Sequence, residues 1–208
     1  MSERDPNVPE ATRLENLWAG SFGDQYSARN EDAGAGRQAF WERVLAEHPI
    51  RNVLEVGCNV GANLRWIAPR LSPGEAFGVD LNQGALERLR EQLSTVNAVT
   101  ASARSLPFRD RWFDLAFTTG VLIHQPDSTL PLVMSEIVRV SRRFVLCGEY
   151  HADEQTEVTY RGEAGALFKR DYGRLYRELF PELRLVNDGF LERTDGWDDV
   201  TWWLFEKA

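Results

Sequence analysis

The strongest constraint on the fold is an alternation of strand-like and helix-like segments that runs from residue 51 to residue 150. The strand-like segments are apolar and β-branched, and the segments between them have the spacing and composition of helices. Strands joined through helices pair in parallel with right-handed crossovers, so this pattern predicts a doubly wound α/β sheet. The five predicted strands are 51–57 (RNVLEVG), 76–81 (AFGVDL), 97–103 (NAVTASA), 113–123 (FDLAFTTGVLI) and 143–150 (RFVLCGEY).

The residues that precede this alternation differ from it in pattern. Residues 14–48 have helical spacing that is broken at SFGD and at EDAGAG, which predicts two short helices connected by a movable joint. Residues 1–13 resemble a loose tail. We therefore expect a tail and helical segment at 1–48 and a single domain at 49–208.

The last quarter of the chain completes the sheet. The pattern predicts a helix at 167–180 and strands at 183–192 and 199–207, and the short connection between these strands favours antiparallel pairing. The whole sheet then has seven strands. Adjacent side chains on a strand point to opposite faces, so Trp202 and Trp203 must do the same.

The composition excludes several partners. The chain carries 32 acidic and 24 basic side chains, and a net charge of -8 repels a polyphosphate, so no nucleic acid partner is expected. Residues 1–13 lack the apolar core of a secretory signal, and no apolar run approaches membrane-spanning length. We therefore expect a cytoplasmic protein without a membrane partner. Cys58 and Cys147 are far apart and lack nearby ligand residues, which argues against a disulfide framework or a zinc site.

The segment EVGCNVG at 55–61 ends the first strand and begins a helix. Ligands of open α/β sheets bind beyond the carboxyl ends of the strands, and glycines there allow close approach of a nucleotide. A nicotinamide fingerprint needs glycines where this chain has Asn59 and Ala62. Asp80 follows the second strand, where an acidic side chain accepts from ribose hydroxyls. These signals indicate a binding site for a ligand that contains an adenosine group but no pyrophosphate.

Residues after the third strand complete the expected pocket. Ser102 offers a polar contact to an adenine edge, and Leu81 and Leu106 offer apolar walls. The succession of motifs over residues 50–150 resembles the class I S-adenosylmethionine-dependent methyltransferases. The motifs that carry this resemblance are Glu55-x-Gly57-x-x-x-Gly61, Asp80, Ser102-Ala103-x-x-Leu106-Pro107-Phe108 and Phe113-Asp114-Leu115.

The flanking segments extend the resemblance over nearly the whole chain and point to a narrower family. They are similar to the methylases associated with pseudaminic acid biosynthesis and to the related sugar O-methyltransferase of methylmannose polysaccharide synthesis. The segments that carry this likeness are LWAGSFGDQYSARN at 17–30, GCNVG at 57–61, GVLIH at 120–124, YRG at 160–162, LFKRD at 167–171 and DVTWWL at 199–204.

The resemblance implies a Rossmann-like, seven-stranded sheet with an N-terminal helical lid over the cofactor, S-adenosyl-L-methionine. It implies that Tyr26 and Arg29 hold the methionine carboxylate of the cofactor. The full set of expected cofactor-binding residues is Trp18, Tyr26, Arg29, Glu55, Gly57, Cys58, Gly61, Asp80, Leu81, Ser102, Ala103, Thr119 and Gly120.

Methyl transfer to a hydroxyl needs a base at the carboxyl edge of the sheet. His124 follows the fourth strand, where the methyl group should point. Glu149 and His151 follow the fifth strand, and alternate positions of an extended chain share a face, so these two could reach one acceptor together. His124 and the Glu149–His151 pair both remain candidates, whereas His48 is expected at the surface.

Residues beyond the fifth strand are candidates for binding the acceptor. Aromatic faces suit sugar rings, and basic side chains suit a carboxylate or phosphate on the sugar. The alternative is that the basic residues form one exposed side of a helix. We expect no metal site, because the acidic stretch 153–157 and the later aspartates read as solvated. The candidate acceptor residues are Tyr150, Tyr160, Arg161, Lys169 and Arg170.

These expectations combine into a functional hypothesis. We expect an S-adenosylmethionine-dependent O-methyltransferase acting on a hydroxyl of a sugar or sugar-derived metabolite, either a mannoside or a nonulosonic acid, in polysaccharide biosynthesis. The alternatives are a small-molecule N- or carboxyl-methyltransferase, a nicotinamide-dependent oxidoreductase on the same sheet, and a cofactor-binding protein without catalysis. The acceptor partner would be a small carbohydrate, and the hypothesis leaves a homodimer open.

Overall fold

The computed structural model describes residues 9–29 and 35–208, and these contain one seven-stranded sheet and a separate hairpin. Strands are β1 (Val53–Val56), β2 (Ala76–Asp80), β3 (Val96–Thr100), β4 (Phe113–Thr119), β5 (Ser141–Glu149), β6 (Thr156–Tyr160), β7 (Glu163–Lys169), β8 (Leu183–Leu191) and β9 (Val200–Lys207). Helices are α1 (Glu10–Ala19), α2 (Ser21–Arg29), α3 (Gln38–Glu47), α4 (Leu64–Ile67), α5 (Gln83–Gln92), α6 (Leu130–Val140) and α7 (Tyr172–Leu179).

The main sheet confirms the predicted α/β architecture. Its strand order is β3-β2-β1-β4-β5-β9-β8, with β1 to β5 parallel and β9 antiparallel to both of its neighbours. The chain moves outward from β1 to β3 and then returns to β4 on the other side of β1. The carboxyl ends of β1 and β4 therefore flank the reversal in strand order, which is the place where such sheets bind ligands.

Two apolar layers cover the sheet. Side chains from α3, α4 and α5 pack on one face, and side chains from α6 and α7 pack on the other. Trp202 belongs to the first layer and Trp203 to the second, as strand alternation predicts. Gly173 of α7 lies directly over the Trp203 indole, so that α7 can approach the sheet closely.

The predicted helix at 167–180 is wrong at its beginning. Residues 163–169 form β7, which pairs antiparallel with β6 in a two-stranded sheet of its own. The helix begins at Tyr172 because the Asp171 side chain accepts a hydrogen bond from the amide of Arg174 at 2.8 Å. The apolar residues Leu167 and Phe168 are buried as strand residues.

The N-terminal segment contains more helix than predicted. α1 already begins at Glu10, inside the predicted tail, and the break between α1 and α2 falls at Gly20. Residues 1–8 of the tail, and 30–34, which include most of the predicted joint, lie outside the described residues. α3 then supplies a third helix before the sheet.

α1 and α2, which we call the N-terminal helical pair, cross the carboxyl edge of the sheet. Glu15 pairs with Arg104 beyond β3, with the guanidinium Nε at 2.8 Å, and Asp24 accepts from the Asn82 amide at 2.8 Å. On the opposite side, Arg13 donates to the carbonyl of Ala164 in β7 at 3.2 Å. The helical pair thus bridges the β2–β3 side of the edge and the β6–β7 hairpin.

We predict that Gly23→Ala loosens the helical pair. A Cβ at residue 23 would lie 1.9 Å from the carbonyl oxygen of Trp18 and 2.9 Å from Asn82 Nδ2, so α1 or Asn82 must shift. Such overpacking costs about 1–3 kcal/mol, and hydrogen exchange of amides 10–29 should accelerate about tenfold or more. Gly84→Ala is the control, because its nearest atoms would be 3.5 and 3.6 Å away. Equal exchange in the two variants would contradict this prediction.

Candidate functional site

A cleft opens where the carboxyl ends of β1, β2 and β4 meet beneath the N-terminal helical pair. Its walls come from elements that are distant in sequence, including the turn before α3 and the β8–β9 connection. The lining residues are Trp18, Gly23, Tyr26, Arg37, 55–60, Ala62, Asn63, 79–82, Ala101, Ala103, 119–121, His124, Gln125 and Asp198.

The loop after β1 is closed by the carboxylate of Asp80. Asp80 accepts from the amide of Asn59 at 2.8 Å and from the amide of Asn82 at 2.9 Å. Gly57 has a φ of 75°, and a Cβ there would lie 2.3 Å from Val121 Cγ2, so only glycine fits. Burial raises the pKa of Asp80. Each carboxylate oxygen keeps a lone pair for a further donor, such as a hydroxyl.

The buried side-chain amide of Asn63 connects four elements around the cleft. Its Oδ1 accepts from Arg37 Nη1 at 3.1 Å and from Trp41 Nε1 at 3.2 Å. Its Nδ2 donates to Glu55 Oε1 at 2.5 Å and to Thr119 Oγ1 at 2.8 Å. An amide has two donor hydrogens and two acceptor lone pairs, so Asn63 uses its full hydrogen-bonding capacity.

Glu55 and Arg37 place a carboxyl group and a guanidinium at one end of the cleft. Burial raises the pKa of Glu55 to about 8, and among the described residues its Oε2 has no hydrogen-bond partner. Arg37 is held by the Gly196 carbonyl at 3.0 Å and lies over the Trp197 ring at 4.5 Å, and burial lowers its pKa. The hydrogen bonds to Gly196 and Asn63 use Nε and Nη1 of Arg37. This end of the cleft can therefore bind a group that carries both an ammonium and a carboxylate.

His124 lies at the other end of the cleft in a fixed tautomer. Its Nδ1 is 2.5 Å from the carbonyl oxygen of Ala166 in β7, so Nδ1 carries the proton and Nε2 keeps its lone pair. Burial lowers the pKa of His124 to about 4, so the ring is neutral at neutral pH. Trp18 and Tyr160 lie 4.4 Å and 5.4 Å from it, centroid to centroid. His124 can accept a hydrogen bond or a proton from a ligand in the cleft.

The structure does not bring Glu149 and His151 together at the cleft. Glu149 is fully buried, and its carboxylate accepts from the amides of residues 121–123 at 3.2–3.3 Å. His151 is exposed, with Nε2 3.7 Å from Asp153. The expectation of a shared face required an extended chain, but β5 ends at Glu149.

None of the expected acceptor residues is among those that line the cleft, and their surroundings differ. Tyr160 stacks on Trp18 at 6.5 Å beside His124, and Lys169 Nζ lies 5.8 Å from the Tyr150 ring. Arg161 lies over Tyr160 at 5.8 Å and is exposed.

Arg170 has a structural environment. It is buried, pairs with Asp127 at 2.6 Å and donates to Gln125 O and to the Tyr172 hydroxyl at 3.2 Å. Because residues 163–169 form a strand, Lys169 and Arg170 are not one side of a helix.

Most of the expected cofactor-binding residues line the cleft, but three do not. Arg29 is exposed at the end of α2, Gly61 packs under Leu89, and Ser102 binds Glu15. The residues that do line it are Trp18, Tyr26, Glu55, Gly57, Cys58, Asp80, Leu81, Ala103, Thr119 and Gly120.

Arg37, Asn63, Asn82 and Gln125 line the cleft although the sequence pattern does not indicate them. Asp198 is exposed, as predicted, and also lines the cleft. Asn82 carries a local signal, because it caps α5 by accepting from Ala85 N at 2.7 Å. Arg37 and Asp198 carry none, because they reach the cleft from the turn before α3 and from the β8–β9 connection.

Two further features bear on the chemistry. Within residues 9–29 and 35–208, His, Cys, Asp and Glu side chains form no cluster of three or more suited to a metal ion. Among the same residues, no helix combines the length and apolar character needed to cross a bilayer.

Comparison with known proteins relates the middle of the chain to a known family. Residues 53–143 match the family described as "Methyltransferase domain". The phthiotriol/phenolphthiotriol dimycocerosates methyltransferase of Mycobacterium tuberculosis is 31% identical over 94 residues, which are 44% of this chain and 34% of that protein. The chain spans about a third of the length of the curated relatives it matches.

Solved structures share the fold over nearly the whole chain. The magnesium protoporphyrin IX methyltransferase of Synechocystis PCC 6803 with bound SAM has a TM-score of 0.73 at 12% identity, covering 99% of this chain and 100% of that one. The 1,6-didemethyltoxoflavin-N1-methyltransferase of Burkholderia thailandensis has a TM-score of 0.75 at 15% identity, covering 99% and 93%. At these identities the likeness establishes the fold, which is that of the class I methyltransferases.

We predict that Asn63→Leu destabilises the protein. Leucine keeps the volume but removes all four hydrogen bonds and leaves buried groups of Arg37, Trp41 and Glu55 without this partner. The free energy of unfolding should fall by about 2–4 kcal/mol in urea denaturation. The control is Asn97→Leu, because Asn97 is exposed and donates only to the Gly74 carbonyl at 2.8 Å. A loss no larger than in this control would contradict the assigned role of Asn63.

Proposed function

With residues 53–143 forming a methyltransferase domain on a class I methyltransferase fold, we propose that this chain is an S-adenosylmethionine-dependent O-methyltransferase. Its acceptor is a hydroxyl of a sugar or sugar-derived metabolite, such as a mannoside or a nonulosonic acid. We further propose that the protein acts in polysaccharide biosynthesis, in the cytoplasm and as a homodimer.

The residues of the cleft fit this cofactor. Asp80 would accept from the ribose hydroxyls, and the unpartnered Oε2 of Glu55 would accept from the ammonium of the methionine moiety. Arg37 would hold the carboxylate through Nη2, a role that the resemblance assigned to Arg29. When bound, S-adenosylmethionine supplies an electrophilic methyl group on its sulfonium.

The observation that carries O-methyl transfer is the state of His124. Its Nδ1–H is committed to the Ala166 carbonyl, so Nε2 is available to accept the hydroxyl proton as the acceptor oxygen takes up the methyl group. A pKa of about 4 keeps Nε2 unprotonated at neutral pH. The face of Trp18, 4.4 Å away, would stabilise the imidazolium that proton transfer creates.

Aromatic side chains support a sugar acceptor. Trp18 lines the cleft, and Tyr160 stacks on Trp18 beside His124. Aromatic rings combine broad apolar faces with polar edges, which suit a pyranose ring and its hydroxyls. A second candidate is an N-methyl acceptor, because the carboxylate of Asp198 lines the cleft and would attract a cationic amine.

We predict label transfer from S-adenosylmethionine to a carbohydrate in a panel that contains manno-oligosaccharides, nonulosonic acids and small amines. His124→Ala should lower kcat by about 10²–10⁴-fold, because it removes the general base. S-adenosylhomocysteine should bind this variant within about threefold of the wild-type affinity in calorimetry. His48→Ala is the control, because His48 packs on Phe144 at 5.0 Å, on the α3 face of the sheet.

The outcomes separate the alternatives. If only an amine acquired the label, the N-methyl acceptor would be favoured over the sugar. Absence of S-adenosylhomocysteine binding would refute the methyltransferase proposal. A large loss of kcat in His151→Ala with none in His124→Ala would contradict the assignment of the base.

We predict that cofactor binding releases a proton from Glu55. In the free protein the pKa of Glu55 is about 8, and contact with an ammonium lowers it. The proton present below that pKa must leave, so affinity rises with pH up to about 8 and then levels off. Calorimetry at pH 7 in buffers of different ionisation enthalpy measures the release. Glu55→Gln should abolish it and weaken binding, whereas Glu47→Gln, an exposed control, should do neither.

A further inference from the structure

The carboxylate of Glu149 is fully buried at the end of β5. Its Oε1 accepts from the amides of Val121 and Leu122, both at 3.2 Å, and its Oε2 accepts from the amide of Ile123 at 3.3 Å. Three consecutive amides that converge on one carboxylate form a backbone anion site. Here the anion comes from the protein itself.

No cation offsets this charge among the described residues. The titratable groups that act on Glu149 are Cys147 and Tyr150 on its own strand and Tyr172 and Tyr176 on α7. Burial raises the pKa of all four, so they are uncharged at neutral pH. The ring of His124, in the turn that Glu149 binds, is neutral as well. The three amides, together with the side chain of Thr118, stabilise an ionised Glu149.

The turn that Glu149 holds lies between the loop after β1 and His124. Val121 packs against Gly57 in the loop after β1, as the 2.3 Å from its Cγ2 to an added Cβ shows. The carbonyl of Val121 accepts from the amide of His124 at 3.0 Å, which orients the His124 backbone. A shift of this turn therefore moves Nε2 relative to the cleft.

We propose that ionised Glu149 is a positioning residue that fixes the turn at 120–124 and with it His124, and that protonation of Glu149 loosens the acceptor side of the cleft. The part played by His124 rests on the proposed function, whereas the effect on the turn does not. Glu55, Arg37 and Asp80 are held by other contacts and keep the cofactor side in place.

The balance between burial and hydrogen bonding places the protonation of Glu149 near neutral pH. Burial raises the pKa of Glu149 to about 7, from an ordinary value of 4.5. A carboxyl whose folded-state pKa is raised favours the fold when protonated, and that contribution is lost as pH rises from 4.5 through 7. At pH 8 the ionised Glu149 therefore lowers the free energy of unfolding. Such a cost is expected of a group that is retained for function.

The direct test is a pH titration of backbone amides by NMR. In the wild-type protein, the amide protons of residues 121–123 should shift upfield with a common midpoint near pH 7 as Glu149 takes up a proton. Glu149→Gln should abolish this midpoint. Glu206→Gln should retain it, because Glu206 pairs with Arg143 and Arg184 on the far part of the sheet. A wild-type titration without a common midpoint would overturn the proposal, and this measurement needs no variant to fold.

Kinetics and binding separate positioning from general structural damage. At pH 8, Glu149→Gln should lower kcat about tenfold or more, because small misplacements of a catalytic group are costly. It should bind S-adenosylhomocysteine within about threefold of the wild type and unfold at no lower urea concentration. The wild-type kcat should show a pH midpoint near 7 that the variant lacks. Unchanged kcat, or reduced stability and binding together, would refute positioning. Loss of S-adenosylhomocysteine binding in the wild type would refute the proposed function and leave the amide titration standing.

Discussion

The hydrogen bonds of one buried amide, that of Asn63, hold the site together. Its four partners come from the turn before α3, from α3, from β1 and from β4. Because both donors and both acceptors are used, the arrangement tolerates neither a carboxylate nor an apolar side chain at this position. The charges of Arg37 and Glu55 face one end of the cleft as a consequence of this one residue.

Two buried carboxyl groups lie near the cleft, Glu55 in its lining and Glu149 on the amides of residues 121–123. Glu55 and Glu149 both have a raised pKa because burial penalises the ionised form. Their surroundings differ, however. Glu55 has an arginine nearby and an oxygen without a partner, so it is arranged to receive a charged ligand, whereas Glu149 is saturated by backbone amides and is arranged to hold a turn.

The β6–β7 hairpin shapes the acceptor end of the cleft. It provides the Ala166 carbonyl that selects the His124 tautomer and the Tyr160 ring that stacks on Trp18. The N-terminal helical pair meets it through Arg13 and Glu163 at 3.6 Å. Two segments outside the parallel sheet therefore enclose His124, which follows a strand of that sheet. The rings of Trp18, Phe22, Tyr26 and Tyr160 are in contact where these segments meet.

The sequence by itself determined the seven-stranded sheet, the glycine loop after β1 and the positions of Asp80 and His124, because each follows from local periodicity or from its place just after a strand. It assigned residues 167–169 to a helix instead of β7, because a short buried apolar run fits a helix or a strand equally well, and only pairing with β6 decides. It could not find Arg37 or Asp198, nor separate Glu149 from His151, because these depend on contacts between residues far apart in the chain. Periodicity reports which face of an element is buried, whereas the partner of a buried polar group is chosen only when the elements pack together.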